Sequence, residues 1–234
     1  MVIINKGTVF NTDAKAIVNT VNCKGVMGAG IALEFQLRYP AMNEEYIRKC
    51  EDGSIRVGKV DYYDGDPIII NFPTKYDFKF PSKIEWVEAG LQDFISTYSN
   101  HNIDTVAFPK LGAGRGGLDW QQVKALMIRY LDPLDIKVYI CEDTLPYAEG
   151  IEKEMVDRLN KTSASMLASK IRLNDKQRVA IDSGKPYIRF WHLGRIDSIG
   201  AKTYENVFKY FYNKCINMSG EQINMLDEGL LSMD

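Results

Sequence analysis

The stretch Ala16-Ile-Val-Asn-Thr-Val-Asn-Cys-Lys-Gly-Val-Met-Gly-Ala-Gly30 decides the fold. Its first seven residues are apolar or β-branched apart from two asparagines, so residues 16–22 read as a buried strand. The glycines that follow permit positive φ and close backbone approach. Ala29 to Tyr39 then reads as a helix, stopped by Pro40. A buried strand, a glycine-rich turn and a helix are the opening unit of an α/β domain.

Working outward, the same alternation recurs through the first 150 residues. Pro67-Ile-Ile-Ile-Asn-Phe72, Thr105-Val-Ala-Phe108 and Ile136-Lys-Val-Tyr-Ile-Cys141 read as further strands. Ser82 with Glu85 three residues on has the capping-box pattern. It precedes a helix marked by Ile84, Val87, Leu91, Phe94 and Ile95. Asp119 is placed to cap a helix through Leu131, with Val123, Leu126, Met127 and Tyr130 on one side. Strands alternating with covering helices predict a largely buried sheet.

A second glycine-rich loop, Lys110-Leu-Gly-Ala-Gly-Arg-Gly-Gly-Leu118, follows Val106-Ala-Phe-Pro109 and precedes a helix, as the first loop does. Successive backbone N–H groups at a helix start can cradle phosphate oxygens. Two such loops at strand ends suit a diphosphate better than one phosphate. The candidate ligand-holding residues are Gly25, Val26, Met27, Gly28, Gly30 and Ile31 in the first loop. In the second they are Leu111, Gly112, Ala113, Gly114, Arg115, Gly116 and Gly117. Neither loop is a Walker A, because no Gly-Lys-Ser/Thr follows, and Gly25–Gly30 is not G-x-G-x-x-G.

Beside these readings stands a resemblance. Asn19 to Leu33 resembles the first signature of the macrodomains, and Pro109 to Trp120 the second. Asn71-Phe-Pro-Thr-Lys75, with Ser82 and Trp86-Val-Glu-Ala-Gly-Leu91, is similar to the DarG branch of that family. The resemblance covers about residues 1–145 and implies a three-layer α/β/α fold around a mixed sheet. It implies binding of ADP-ribose, with Asn22 hydrogen-bonded to the distal ribose. It also implies that Lys75 is the nucleophile of a glycohydrolase acting through an iminium-like lysine–ribose adduct. An amine attacks only when unprotonated, so Lys75 needs burial or neighbouring cations, with Lys79 and Lys83 the candidates. The implied substrate is ADP-ribosylated single-stranded DNA, modified on thymidine. The implied partner is a DarT-like ADP-ribosyltransferase toxin, to which this protein is the antitoxin. The alternatives are a non-catalytic ADP-ribose reader and a hydrolase of protein-linked or acetylated ADP-ribose. Two departures stand out: many macrodomains have Asp after their first glycine, where this chain has Thr8. A lysine-using branch has Asp in its second loop, where Gly116 stands here.

Around Lys75, Phe72, Tyr76, Phe78 and Phe80 are available either to stack on a base or to pack as core and lid. Asn19, inside its strand, reads as structural.

The whole chain sets outer bounds. It has 234 residues, 45% apolar and 26% charged, an ordinary globular balance long enough for one or two domains. No apolar run approaches the length of a membrane span, and a signal peptide is not evident in Met1–Phe10, so a cytoplasmic protein is expected. Cys23, Cys50, Cys141 and Cys215 lack metal-ligand spacing, so reduced thiols, no metal and no cofactor are expected. Residues 1–155 carry 17 Lys and Arg against 22 Asp and Glu, a net −5; residues 156–234 carry 12 against 9, a net +3. The expected division is a macrodomain over 1–155 and a small α-rich extension over 156–234 that contacts DNA or the toxin. Residues 147–162 read as a polar helix or connector; after them Asn174–Ile181 and Thr203–Tyr212 read as helices and Tyr187–His192 as a strand. Phe190, Trp191, Tyr204, Phe208, Tyr210, Phe211 and Tyr212, interleaved with Arg189, Arg195, Lys202 and Lys209, make either a binding surface or a small core with a solvated basic face.

Overall fold

A computed structural model describes residues 1–230, with side chains through Asn217. The last four positions of the expected extension lie outside the described residues. Two compact units divide the chain, Met1–Thr144 and Leu145–Asp234. The division falls before the change of charge near residue 155, because one uninterrupted helix runs across that point.

The first unit is built on a six-stranded sheet: β1 (Val2–Asn5), β2 (Ala16–Asn22), β3 (Asp61–Tyr63), β4 (Ile68–Lys75), β5 (Thr105–Phe108) and β6 (Lys137–Cys141), in the order β1-β6-β5-β2-β4-β3. All neighbours are parallel except β3, which pairs antiparallel with β4. The sheet is therefore mixed. Strand alternation sends side chains to two separate cores. Ala16, Val18, Ile70, Phe72, Val106 and Phe108 face one way, against α3 (Ile84–Thr97) and α4 (Trp120–Leu131). Ile17, Val21, Ile69 and Ala107 face the other way, against α1 (Gly30–Arg38) and α2 (Pro40–Glu51). This is the expected three-layer α/β/α architecture, and it explains why the strands read as continuous apolar runs: both faces are buried. At Gly90 a Cβ would meet the Phe72 ring at 2.4 Å, so α3 sits on β4 at a distance only glycine permits.

Two local expectations change and a third holds. Pro40 ends α1, yet it also begins α2, as the first residue of a helix, where its missing N–H costs nothing. The helix after Ser82 is capped at Lys83 without a side-chain bond, and Ser82 is buried with its Oγ unpartnered. Asp119 does cap α4, accepting from the Gln122 N–H at 2.9 Å.

The second unit is helical: α5 (Gly150–Lys161), α6 (Ala164–Ala168), α7 (Asp175–Ser183), a 3-10 turn (Phe190–Arg195) and α8 (Ala201–Leu230). The strand expected over Tyr187–His192 is absent. Phe190 and Leu193 are buried at the spacing of a helical turn, and no neighbouring strand offers a ladder there. Phe190, Phe208, Phe211 and Tyr212 form a buried aromatic core with edge-on and stacked ring pairs. Arg189, expected on a basic surface, is 4% exposed; it is ion-paired with Glu152 at 3.0 Å and donates to the Leu145 carbonyl at 2.9 Å. Among the described residues, no helix is long and apolar enough to cross a membrane.

Candidate active site

Five parallel strands end on one side of the sheet, and the ends of β2, β4, β5 and β6 with the segments leaving them line a cleft of about 770 Å³. Crevices beyond the carboxyl ends of parallel strands are the usual ligand sites of α/β sheets. The volume is sufficient for a nucleotide-sized ligand. Both glycine loops line it, the first with Val26, Gly28, Gly30 and Ile31, the second with Gly112, Ala113, Gly114, Arg115 and Gly116. Gly25, Met27, Leu111 and Gly117 do not line it. Met27 and Leu111 are buried in the two cores, and Gly25 packs against Ile47. Met27 and Leu111 anchor the loops in the cores, and Gly25 and Gly117 turn the chain at positive φ.

The second loop is closed on itself. The Leu118 N–H donates to the Gly112 carbonyl at 3.1 Å, and the Ser82 N–H donates to the Gly116 carbonyl at 2.9 Å. A Cβ at Gly116 would lie 2.1 Å from the Gly112 carbonyl oxygen and 2.4 Å from Ser82 Oγ. No aspartate fits there, which accounts for the departure read in the sequence.

Asn22 lies on the cleft wall at the end of β2. Its Oδ1 accepts the Lys24 N–H at 2.8 Å, and its Nδ2 donates to the Val26 carbonyl at 2.6 Å. The side chain therefore fixes the first loop, and its second amide N–H stays free for a ligand. Asn19 is fully buried and donates to Asn71 Oδ1 at 3.1 Å, tying β2 to β4 as a structural group.

Lys75 ends β4, opposite Asn22 in the strand register, and lines the cleft. Its Nζ donates to the Arg115 carbonyl at 2.7 Å and reaches the Phe78 carbonyl at 3.5 Å. Burial, and after it the Arg115 guanidinium, hold its pKa below the ordinary lysine value. Lys79 and Lys83 do not supply that effect. Both are exposed, with Lys79 over the Phe78 ring and Lys83 over the Trp86 ring.

The cleft wall also includes Glu142 and Asp143, just after β6. Sequence reasoning missed them, although they follow a buried strand as the two glycine loops do. Trp120 Nε1 and Lys124 Nζ both donate to Glu142, and the Lys124 bond above all holds its carboxyl below the usual range.

The Macro domain family model matches residues 18–127. A Mycobacterium tuberculosis DNA ADP-ribosyl glycohydrolase is 41% identical over 160 residues, which is 65% of this chain and 46% of that protein. The solved macrodomain of Mycobacterium tuberculosis DarG is 42% identical, with a TM-score of 0.58, covering 60% of this chain and 97% of the other. The structure of Thermosipho africanus DarTG in complex with ADP-ribose is 30% identical, with a TM-score of 0.58, covering 60% of this chain and 41% of the other. The chain belongs to the macrodomain family. It spans about half the length of the curated DNA ADP-ribosyl glycohydrolases it matches.

Proposed function

We propose that the chain is an ADP-ribosyl glycohydrolase that removes ADP-ribose from thymidine in single-stranded DNA, opposing a DarT-like transferase as its antitoxin. The observation that carries the reading is the Lys75 amine, half-buried on the cleft wall beside the two loops suited to a diphosphate. The similarity to DNA ADP-ribosyl glycohydrolases and to a fused transferase–glycohydrolase supports the DNA substrate and the toxin partner.

Backbone N–H groups of both loops hold the diphosphate, and the free Asn22 amide N–H donates to the distal ribose. Neutral Lys75 Nζ attacks the anomeric carbon. The new C–N bond forms as the glycosidic bond breaks, and the base leaves with the proton the amine sheds. The nitrogen lone pair then expels the ring oxygen, which takes a proton from water, and the iminium forms. The hydroxide adds to the iminium carbon, the C–N bond breaks as the amine takes the proton of the new hydroxyl, and the ring hydroxyl recloses on the aldehyde to return ADP-ribose. The residues of the second unit are proposed to engage DNA or the toxin.

The test is incubation with thymidine-ADP-ribosylated single-stranded DNA, reading released ADP-ribose. Release by the wild type and its loss in Lys75→Ala are expected. Absence of release by folded protein that still binds ADP-ribose would leave a reader in place of a hydrolase.

A further inference from the structure

Of the aromatic residues in the first unit, only Tyr76, Phe78 and Phe80 are exposed among the described residues. They fall within five positions of one another, directly after Lys75. Isolated exposed apolar residues are unremarkable, but three rings together on one short segment mark a contact surface.

The backbone keeps them there. The Cys23 N–H donates to the Tyr76 carbonyl at 3.1 Å, fastening one end of the segment beside the first glycine loop. The Ser82 N–H bond to Gly116 fastens the other end to the second loop. Between them the Phe80 N–H closes a turn on Asp77 at 3.2 Å. Residues 76–82 thus form an arch from one glycine loop to the other, and Phe78 forms part of the cleft wall.

The arch is also basic. Residues 75–83 contain Lys75, Lys79 and Lys83 against one acid, Asp77. Lys24 adds a cation from the first loop, its Nζ 3.3 Å from the Tyr76 hydroxyl and 4.4 Å from the ring centre. Among the described residues Lys24, Lys79 and Lys83 form no ion pair. Exposed rings alternating with unpaired lysines match a single nucleic-acid strand, whose bases stack on rings while its phosphates meet cations.

The geometry points to the arch as a strand-binding rim. Tyr76 and Phe80 stack on bases flanking the modified nucleotide, and Lys24, Lys79 and Lys83 meet the neighbouring phosphates. The inference rests on the DNA-directed reading above and adds where the strand lies.

The test measures binding, so it does not depend on hydrolysis. In a Lys75→Ala background, free ADP-ribose and a thymidine-ADP-ribosylated single-stranded oligonucleotide are titrated separately. The oligonucleotide should bind more tightly than free ADP-ribose. The further changes Tyr76→Ala and Phe80→Ala together should weaken it about ten-fold or more while leaving free ADP-ribose unchanged. Lys79→Ala with Lys83→Ala should flatten the salt dependence of strand binding. Equal affinity for the two ligands, or an oligonucleotide affinity indifferent to both double variants, would overturn the rim. So would an ADP-ribosylated peptide that loses as much affinity as the strand. Failure of hydrolysis alone would remove the proposed activity and leave this result standing.

Discussion

Residues 72–83 and residues 189–212 look alike as sequence, each interleaving aromatic rings with basic residues, lysines in the first and both lysines and arginines in the second. In the structure they do opposite things. The first keeps Phe72 in the core and holds Tyr76, Phe78 and Phe80 outside, because its backbone is fastened to both glycine loops. The second turns Phe190, Phe208, Phe211 and Tyr212 inward at helical spacing and buries Arg189 against Glu152. The bland reading of that region, a small core with a solvated basic face, fits the observed packing. Composition does not separate a surface from a core; the backbone that carries the rings does.

That contrast is sharpest where chemistry and stability come apart. Lys75→Ala should lower hydrolysis by on the order of 10³-fold or more, the scale of losing a catalytic side chain. Its melting temperature and its micromolar-range ADP-ribose affinity, roughly −8 kcal/mol by titration calorimetry, should persist. Full activity in this variant would return Lys75 to the status of a surface residue. In the helical unit the reverse is expected. Phe190→Ala should cost about 3–5 kcal/mol of that unit's stability in denaturant unfolding, whereas Phe80→Ala should change stability by under about 0.5 kcal/mol. Equal costs at the two positions would erase the distinction between the segments.

Gly114→Glu probes the cleft without steric damage, since a Cβ there meets nothing within 4 Å. The added carboxylate should weaken ADP-ribose about 100-fold by repelling the diphosphate; unchanged affinity would place the phosphates elsewhere. The smallest effect concerns pH. A lysine nucleophile works neutral, and both burial and Arg115 lower the Lys75 pKa, so activity should rise with pH through a midpoint below an ordinary lysine's. Arg115→Gln should move that midpoint to higher pH in a kcat profile, because one of the two causes is removed. An unmoved midpoint would leave burial alone responsible.

The sequence by itself determined the alternation of buried strands and helices, the two glycine loops and the candidate lysine. These are local signals: continuous apolar runs, glycines after strands, and an N-cap at Asp119 that holds in the structure. Short edge strands left no such signal. β1 and β3 have three or four residues each and are defined by their partners β6 and β4, which no local pattern reveals. The cation beside Lys75 was equally out of reach. Lys79 and Lys83 are near in sequence, but Arg115 is near in space, because the second loop folds across the end of β4. Which glycines line the cleft and which only shape it, and why Ser82 is buried instead of capping α3, were likewise decided by tertiary packing. Burial and distance belong to the assembled chain, and a linear pattern encodes them only where one element alone determines both.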